Sequence, residues 1–341
     1  MEYSISPDGE KFELPGDDDY TREYERLKKL VAAQKELGHE IVVVMGLGFV
    51  GAVMAAVVAD TVDKKTGKPN KFVIGMQRPS PRSFWKIHLF NRGLSPVSAE
   101  DPDVAPMIDR CVNQKKTLTA TFTYDALRLA DVLVVDVQCD FLKQELGNLR
   151  SGHADISALE QSFKIIGERI DPRCLVLIET TVPPGTTEYV AYPLIKKAFM
   201  KRGIEDEPLL THSFERIMPG KDYVKSVREF WRVCSGINGE SKERVTRFLS
   251  EIVDVERYPM TVLDKPVESE TCKIVENSYR ATILAFLNEW SLFAETNGPP
   301  SRGPRRPGSR PPRRACRRSP GPGGPCAAPR PGGRPPWTCA R

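Results

Sequence analysis

Short apolar runs alternate with amphipathic segments along the chain. The runs are bounded by polar or turn residues and predict buried strands, namely Ile41–Met45, Lys71–Met76, Thr117–Phe122, Val132–Val137, Cys174–Ile178, Leu209–Ser213 and Trp231–Gly236. Helical patterns lie around and between them, at Tyr20–Leu37, Ala52–Asp60, Tyr124–Leu129, Ile156–Ile170, Thr187–Lys201 and Ser241–Val253. Strands that alternate with helices predict an α/β protein with a doubly wound parallel sheet. Residues 1–20 are acidic and are expected to be loose.

The last periodic segment, Val267–Glu295, differs from the other helices. It reads as one helix of about 29 residues, or about 43 Å. It carries more apolar residues than one helical face needs, including Ile283, Leu287 and Trp290. We expect a helix of this kind to be sandwiched, either inside the protein or against a second subunit.

A glycine-rich turn follows the first strand. Gly46, Gly48 and Gly51 have the G-x-G-x-x-G spacing between a strand and a helix. Such a turn lets the backbone approach a pyrophosphate at the helix N-terminus, so the sequence predicts a Rossmann-type dinucleotide site. The uncharged run Ile41–Ala59 has the length of a membrane span. The glycines divide that run into a strand and a helix, and we predict no membrane span.

Three further segments carry candidate chemistry. Glu179–Thr187 is a Thr/Pro/Gly loop after a strand, and Glu215 follows another strand, where a carboxylate suits general base catalysis. Lys273 and Asn277 share one face of the long helix. The alternatives are an ordinary turn, a solvated glutamate and interhelical hydrogen bonds. No metal site is predicted.

Together and in this order, these segments resemble the UDP-glucose/GDP-mannose dehydrogenase family. The resemblance covers Ile41–Gly298, which is 258 of 341 residues. It rests on the glycine turn and on five further motifs, at Asn91–Pro96, Ala130–Asp131, Thr181–Thr186, Glu215–Gly220 and Glu270–Asn277. The family oxidises the primary alcohol of a nucleotide sugar to a carboxylate and reduces two NAD.

The resemblance also implies roles for particular residues. Glu215 would act on the water that hydrolyses a covalent intermediate, whereas Lys273 and Asn277 would polarise the sugar oxygen and stabilise the oxyanion. The long helix would form much of a homodimer interface. The residues implied in NAD binding are Gly46, Gly48, Phe49, Val50, Gly51, Gln77, Arg78, Cys139 and Thr181.

The sequence departs from the family pattern at several positions. The family's nucleophilic cysteine lies in a G-G-x-C-x-x-K-D segment, and no match occurs here; Gly324-Pro-Cys326 is the nearest. Cys272 is expected to be a packed thiol. Cys139 replaces the threonine of a V-x-T-P motif, and Gln77 replaces an aspartate. The loss of that carboxylate, with Arg78 beside it, leaves NADP possible although NAD is expected.

Composition changes abruptly at the end of the chain. Pro299–Arg341 contains eleven arginines, no lysine and no acidic residue, and 31 of its 43 residues are Pro, Arg or Gly. We expect a disordered tail. Three interpretations of this tail are possible: GC-rich DNA translated in the wrong frame, a functionless extension, or a basic arm that contacts nucleic acid or anionic surfaces. The abrupt change in composition favours the first.

The expected organisation has four parts. Residues 1–40 form an N-terminal extension with a helix, residues 41–238 the NAD-binding domain, residues 239–298 an incomplete central dimerisation region, and residues 299–341 the tail. Five of the eight cysteines are scattered without C-x-x-C spacing, and no N-terminal signal is visible, so we predict a cytoplasmic protein. The two functions considered are a dehydrogenase truncated before its cysteine, with impaired activity, and a non-catalytic NAD(H) binder with a basic tail.

Overall fold

The structure is a computed structural model that describes residues 2–145, 148, 151–215 and 220–297. The expected disordered tail therefore lies outside the described residues. The strands of the described residues are β1 (Tyr3–Ile5), β2 (Lys11–Glu13), β3 (Glu40–Met45), β4 (Lys71–Met76), β5 (Leu118–Thr121), β6 (Val132–Val135), β7 (Asp140–Leu142), β8 (His153–Asp155), β9 (Leu175–Ile178), β10 (Leu209–His212), β11 (Val233–Gly236) and β12 (Thr261–Leu263). The α-helices are α1 (Asp17–Glu36), α2 (Phe49–Asp60), α3 (Phe84–Asn91), α4 (Val104–Asp109), α5 (Ser157–Arg169), α6 (Tyr192–Lys201), α7 (Tyr223–Arg228), α8 (Gly239–Ile252) and α9 (Pro266–Asn297).

Eight strands form one twisted sheet in the order β12-β11-β10-β9-β6-β3-β4-β5. Six neighbouring strands of this sheet, β10, β9, β6, β3, β4 and β5, are mutually parallel and follow the order of a Rossmann fold. The doubly wound sheet predicted from the sequence is therefore confirmed over these six strands. At the far edge β11 pairs antiparallel with β10, and β12 continues parallel to β11. The prediction that the β11 segment extends the parallel sheet is wrong.

The central strands are apolar along their whole length because both sheet faces are covered. One face packs against α2, α3 and α8, and its core includes Val42, Val134 and Leu249. The other face packs against α1, α5 and α6, with Val43, Phe163 and Phe199 in its core. The uncharged run Ile41–Ala59 is divided between β3 and α2, as predicted. Within the described residues, we find no helix of the length and apolarity needed to cross a bilayer.

The N-terminal extension is more ordered than the sequence suggested. Residues 1–20 were expected to be loose, yet β1 and β2 form a hairpin and α1 begins at Asp17. The buried Ser4 hydroxyl donates to the Pro81 carbonyl oxygen at 2.9 Å and accepts the Trp85 N–H at 3.1 Å. These two hydrogen bonds attach the hairpin to the loop that follows β4. These bonds were not predictable from the sequence, because a lone serine in a polar segment shows no periodicity.

The first compact unit spans Met1–Thr282, and the second begins at Ile283. The expected boundary between residues 238 and 239 falls inside the first unit, because β12 extends the sheet beyond α8. In α9 the buried residues lie near the start of the helix, at Pro266, Ser269, Glu270 and Lys273. The apolar residues that follow are exposed: Leu284, Phe286 and Trp290 each expose more than half of their surface. The described chain therefore does not bury this helix by itself.

Candidate active site

The glycine turn between β3 and α2 is shaped by two close contacts. Gly46 has φ +110°, and a β-carbon there would lie 2.6 Å from the Asp136 carbonyl oxygen. A β-carbon on Gly51 would lie 1.9 Å from the Gly46 carbonyl oxygen. Both positions therefore require glycine for the fold. A β-carbon on Gly48, in contrast, would meet no atom within 4 Å. Gly48 leaves open space at the N-terminus of α2.

A cavity of about 370 Å³ lies beside this turn, where the strand order reverses between β3 and β6. Ligands of open α/β sheets bind at such a switch point. The first N–H groups of α2, from Phe49, Val50 and Gly51, have no acceptor within the helix and suit an anion. The cavity is lined by residues from both sides of the reversal, among them Gly46, Gly48, Gln77, Arg78, Lys86, Asp136 and Gln138.

Gln77 supports the glycine turn directly. Its side-chain Oε1 accepts the Leu47 N–H at 3.0 Å, so the amide oxygen is used by the protein. The side-chain amide nitrogen of Gln77 donates only a long hydrogen bond of 3.4 Å, to the Arg78 carbonyl oxygen. Ser83 Oγ donates to the same carbonyl oxygen at 2.9 Å. The loop after β4 is therefore held by defined hydrogen bonds at the edge of the cavity.

Lys273 and Glu215, both singled out from the sequence, lie in contact. Lys273 Nζ donates to the Glu215 carbonyl oxygen at 2.8 Å and lies 3.3 Å from Glu215 Oε1. Lys273 is buried, and its ammonium also lies over the Phe214 ring, 5.3 Å from the ring centroid. An ammonium and a carboxylate are thus fixed beside each other at the carboxyl end of the sheet.

Further buried charges lie between this pair and the cavity. Asp136 directly follows β6, and among the described residues neither of its carboxylate oxygens has a hydrogen-bond partner. Burial raises the pKa of Asp136 well above its usual range, and the negative charges of Glu179 and Glu215 raise it further. Glu179 is itself fully buried and lies 2.8 Å from the Arg232 guanidinium. Since three carboxyl groups share this region, the site favours retention of a proton on Asp136.

Glu270 connects the helix of Lys273 to the Thr/Pro/Gly loop. Its carboxylate accepts the Thr187 N–H at 2.8 Å and the Thr187 hydroxyl at 2.7 Å. It also accepts the Gly185 N–H at 2.5 Å. Burial raises the pKa of Glu270, although these hydrogen bonds oppose the shift. Glu270 therefore fixes the position of the loop relative to α9.

The remaining predicted residues are less closely gathered. Thr181 lies partly buried in the loop after β9, while Asn277 is exposed one turn beyond Lys273. Cys139 does not line the cavity: its thiol lies 3.7 Å from the Asp155 carbonyl oxygen. The expectation that Cys272 is a packed thiol is wrong, because Cys272 is exposed. Residues 216–219 of the Glu215 motif lie outside the described residues.

Asp136 and Arg232 also belong to this site, although neither was predicted from the sequence. Each is a charged residue at the end of an apolar strand, Asp136 after β6 and Arg232 before β11. That position was the available signal, since strand ends of an open sheet face its ligands. Arg232 was missed because its strand is antiparallel to the parallel set, so the beginning of β11 lies at the edge where the parallel strands end.

A dinucleotide fits these residues. The open space at Gly48 admits a pyrophosphate against the N-terminus of α2, and the cavity continues to the ends of β4 and β6. The fold and the turn define a dinucleotide-binding protein of the Rossmann type. Comparison with known proteins gives the family: the model of the "UDP-glucose/GDP-mannose dehydrogenase family, NAD binding domain" matches residues 40–253. The chain belongs to this family, and this segment is its NAD-binding domain.

Several relatives are similar over the same region. UDP-N-acetyl-D-mannosamine dehydrogenase from Pyrococcus horikoshii is 25% identical over 260 residues, covering 75% of this chain and 54% of the relative. The enzyme of that name from Escherichia coli K12 is 26% identical, covering 75% and 55%. The structure of NDP-N-acetyl-D-galactosaminuronic acid dehydrogenase from Methanosarcina mazei Go1 aligns with a TM-score of 0.62 and 28% identity, covering 79% and 52%. The chain spans about half the length of these relatives.

Proposed function

We propose that this protein takes part in the NAD-dependent oxidation of a nucleotide sugar, UDP- or GDP-linked, at its C6 primary alcohol to the uronic acid. The observation that supports this most directly is the contact between Lys273 and Glu215, because it joins the two motifs expected to act on the sugar. NAD would accept the hydride. The family membership and the relatives' names point to the same class of reaction.

The described residues would have distinct tasks in this reaction. The N–H groups of Phe49, Val50 and Gly51 would bind the pyrophosphate. Lys273 would stabilise negative charge on the sugar oxygen, and its exposed neighbour Asn277 would donate a second hydrogen bond there. Glu215 would orient or deprotonate the hydrolytic water. Glu270 would keep the Thr/Pro/Gly loop, and with it Thr181, in register with the Lys273 helix.

We also propose that these 341 residues do not complete the oxidation. The second oxidation in the family requires a cysteine in a G-G-x-C-x-x-K-D segment, and the sequence contains none. At most the first hydride transfer would then proceed. We further infer a homodimer through the 267–295 helix, since its exposed apolar side chains would be covered by the same helix of a second copy.

The first test is the intact mass of the protein expressed from its own gene. A mass near 38.2 kDa means that residues 299–341 are genuine. A clearly larger mass means that the native protein continues beyond them. In either case the native form is then mixed with NAD and, in turn, UDP-N-acetylmannosamine, GDP-mannose and UDP-glucose. We expect NADH to form with one of them, provided that the native form carries the nucleophile.

The variants separate catalysis from binding. Lys273→Ala should abolish NADH formation while NAD still binds, whereas Lys265→Ala, an exposed lysine at the start of α9, should leave both unchanged. If a longer native form binds NAD but oxidises no nucleotide sugar, the dehydrogenase proposal is overturned in favour of the NAD(H) binder. Complete conversion to the uronic acid by the 341-residue chain alone would contradict the proposed requirement for the missing cysteine.

A further inference from the structure

The cavity beside the glycine turn carries two cations that the proposed oxidation does not use. Arg78 is exposed and Lys86 is half-buried, and both line the cavity at the side of β4. Among the described residues neither forms an ion pair with a carboxylate. Desolvation by burial lowers the pKa of Lys86, as expected for an ammonium without an anionic neighbour. This side of the cavity therefore has uncompensated positive charge.

Among the described residues that line this side of the cavity, none carries a carboxylate that could balance the cations. The residue at the end of β4 is Gln77, which is neutral and whose oxygen is bound to the Leu47 N–H. Among the described residues that line the cavity the only carboxylate is that of Asp136. It lies beneath the other end of the turn, because a β-carbon on Gly51 would approach Asp136 Oδ2 to 3.2 Å. Asp136 thus belongs to the pyrophosphate end.

The loop that carries the cations has a defined shape. Ser80 Oγ and Ser83 Oγ lie 2.7 Å apart, and Ser83 donates to the Arg78 carbonyl oxygen at 2.9 Å. Farther along, Ser4 of the N-terminal hairpin joins Pro81 to Trp85, which precedes Lys86. The backbone that carries Arg78 and Lys86 is therefore held by hydrogen bonds before a ligand binds, which reduces the entropic cost of binding.

We propose that this end of the site accepts the 2′-phosphate of NADP, so that the chain binds NADP at least as tightly as NAD. In a Rossmann fold the end of the second strand contacts the adenosine ribose, where a carboxylate selects NAD and an arginine accommodates the 2′-phosphate. A phosphate monoester carries more than one negative charge at neutral pH, and a guanidinium binds it with two parallel hydrogen bonds. The inference rests on the proposed cofactor site but not on the proposed oxidation.

Isothermal titration calorimetry on the full chain tests it with NAD, NADP, adenosine 2′,5′-bisphosphate and AMP. We expect NADP to bind at least as tightly as NAD, and the bisphosphate to bind at least about tenfold more tightly than AMP, as two charge-assisted hydrogen bonds allow. If NAD binds and NADP binds measurably more weakly than NAD, the inference is overturned while the cofactor site stands. If neither dinucleotide binds, both are overturned.

Three variants identify the residues. Arg78→Ala should weaken NADP binding about tenfold or more and leave NAD binding within about threefold. Gln77→Glu keeps the acceptor for Leu47 but adds a negative charge, so it should reverse the preference in favour of NAD. Arg82→Ala removes an exposed arginine of the same loop that does not line the cavity, and it should change neither affinity. Equal weakening of NAD and NADP by Arg78→Ala would contradict a role at the 2′-phosphate.

Discussion

Gly51 lies directly against Gly46 across the turn, so that a β-carbon on Gly51 would stand 1.9 Å from the Gly46 carbonyl oxygen. That distance is far below any permitted contact, and the oxygen belongs to a backbone that cannot move away. Gly48 lies between the two in sequence, yet a β-carbon there would meet nothing within 4 Å. One motif thus contains glycines that serve the fold and one that serves the ligand.

Alanine substitutions should separate these two roles. Gly51→Ala should lower the free energy of unfolding by about 3 kcal/mol, because the turn and helix must separate. Gly48→Ala should cost less than about 1 kcal/mol, since the residue has an ordinary extended conformation at the N-cap of α2. It should nevertheless weaken NAD binding at least about tenfold. Urea unfolding and calorimetry measure both effects, and a strongly destabilised Gly48→Ala protein would contradict the assignment.

Asp136→Asn should change how stability depends on pH. The pKa of Asp136 is raised in the folded protein, so the folded state binds a proton more tightly than the unfolded state does. Stability from this group is complete below the ordinary aspartate pKa and decreases as pH rises toward the raised value. Asp136→Asn should therefore stabilise the protein at pH 8 by roughly 1–3 kcal/mol and have little effect near pH 4. Thermal unfolding across this range tests it, and an effect equal at both pH values would contradict it.

Asp60 should show the opposite dependence. It ends α2 and accepts hydrogen bonds from Arg110, Lys115 and Arg228. Although burial acts to raise the pKa of Asp60, the bonds to these three cations dominate and lower it far below its usual range. The contribution of Asp60 to the free energy of unfolding is complete above the ordinary aspartate pKa and is lost as pH falls toward the lowered pKa.

Asp60→Asn should therefore destabilise the protein by roughly 2–3 kcal/mol near neutral pH, a figure reduced because the partner cations are partly exposed. Near pH 3 the difference from the natural chain should shrink. Urea unfolding at both pH values is the measurement. Asp8→Asn, at an exposed position between β1 and β2, is the control and should have a much smaller effect. A larger loss at low pH than at neutral pH would exclude the ion cluster as the cause.

Glu270→Gln should weaken the attachment of the Thr/Pro/Gly loop to α9. Glutamine retains one acceptor oxygen and adds an amide NH₂ donor facing the N–H groups of Gly185 and Thr187. We expect a loss of about 1–3 kcal/mol in the free energy of unfolding, together with faster hydrogen exchange in the loop. Glu205→Gln, at an exposed position, should alter neither quantity. Unchanged exchange at Thr187 in the Glu270 variant would show that another contact holds the loop.

The exposed apolar side chains of α9 should mediate self-association. The rings of Phe286 and Trp290 pack edge to face with their centroids 6.1 Å apart, and both residues expose more than half of their surface. Phe286→Glu should convert a dimer to a monomer by placing a charge in the interface. Glu295→Lys, at an exposed position about 180° around the same helix from Phe286, is the matched control for a change of charge. Sedimentation equilibrium gives the mass directly, and a natural chain that is monomeric at high concentration would rule out this interface.

The glycine turn and the central strands could be predicted from the sequence because their signals are local. Val132–Val135 is apolar throughout, and three glycines at fixed spacing determine a turn without help from distant residues. The antiparallel direction of β11 was not predictable in the same way. It is seen only in the pairing of β11 with β10, and pairing direction leaves no trace in the composition of a strand of four residues.

Within the site, Lys273 and Glu215 were singled out from motifs, but their contact and the role of Glu270 were not predicted. A glutamate on a helix ordinarily indicates a solvated face, and only the folded chain brings it to backbone N–H groups 85 residues away in sequence. Asp136 was overlooked for a related reason. The glycine turn lies against it, and the charges of Glu179 and Glu215 at other strand ends raise its pKa, which no local pattern records.

The hydroxyl of Ser4 supports the cofactor site from outside the segment that the family's NAD-binding domain matches. A shortened protein beginning at Glu40, the first residue matched by the family's NAD-binding domain, would keep every residue that lines the cavity. It would lose both hydrogen bonds of the Ser4 hydroxyl, to Pro81 and Trp85, while the Ser80, Ser83 and Arg78 contacts would remain. Dinucleotide affinities measured on such a trimmed protein would describe a loosened loop, and selectivity between the two dinucleotides would be the first property to be misjudged.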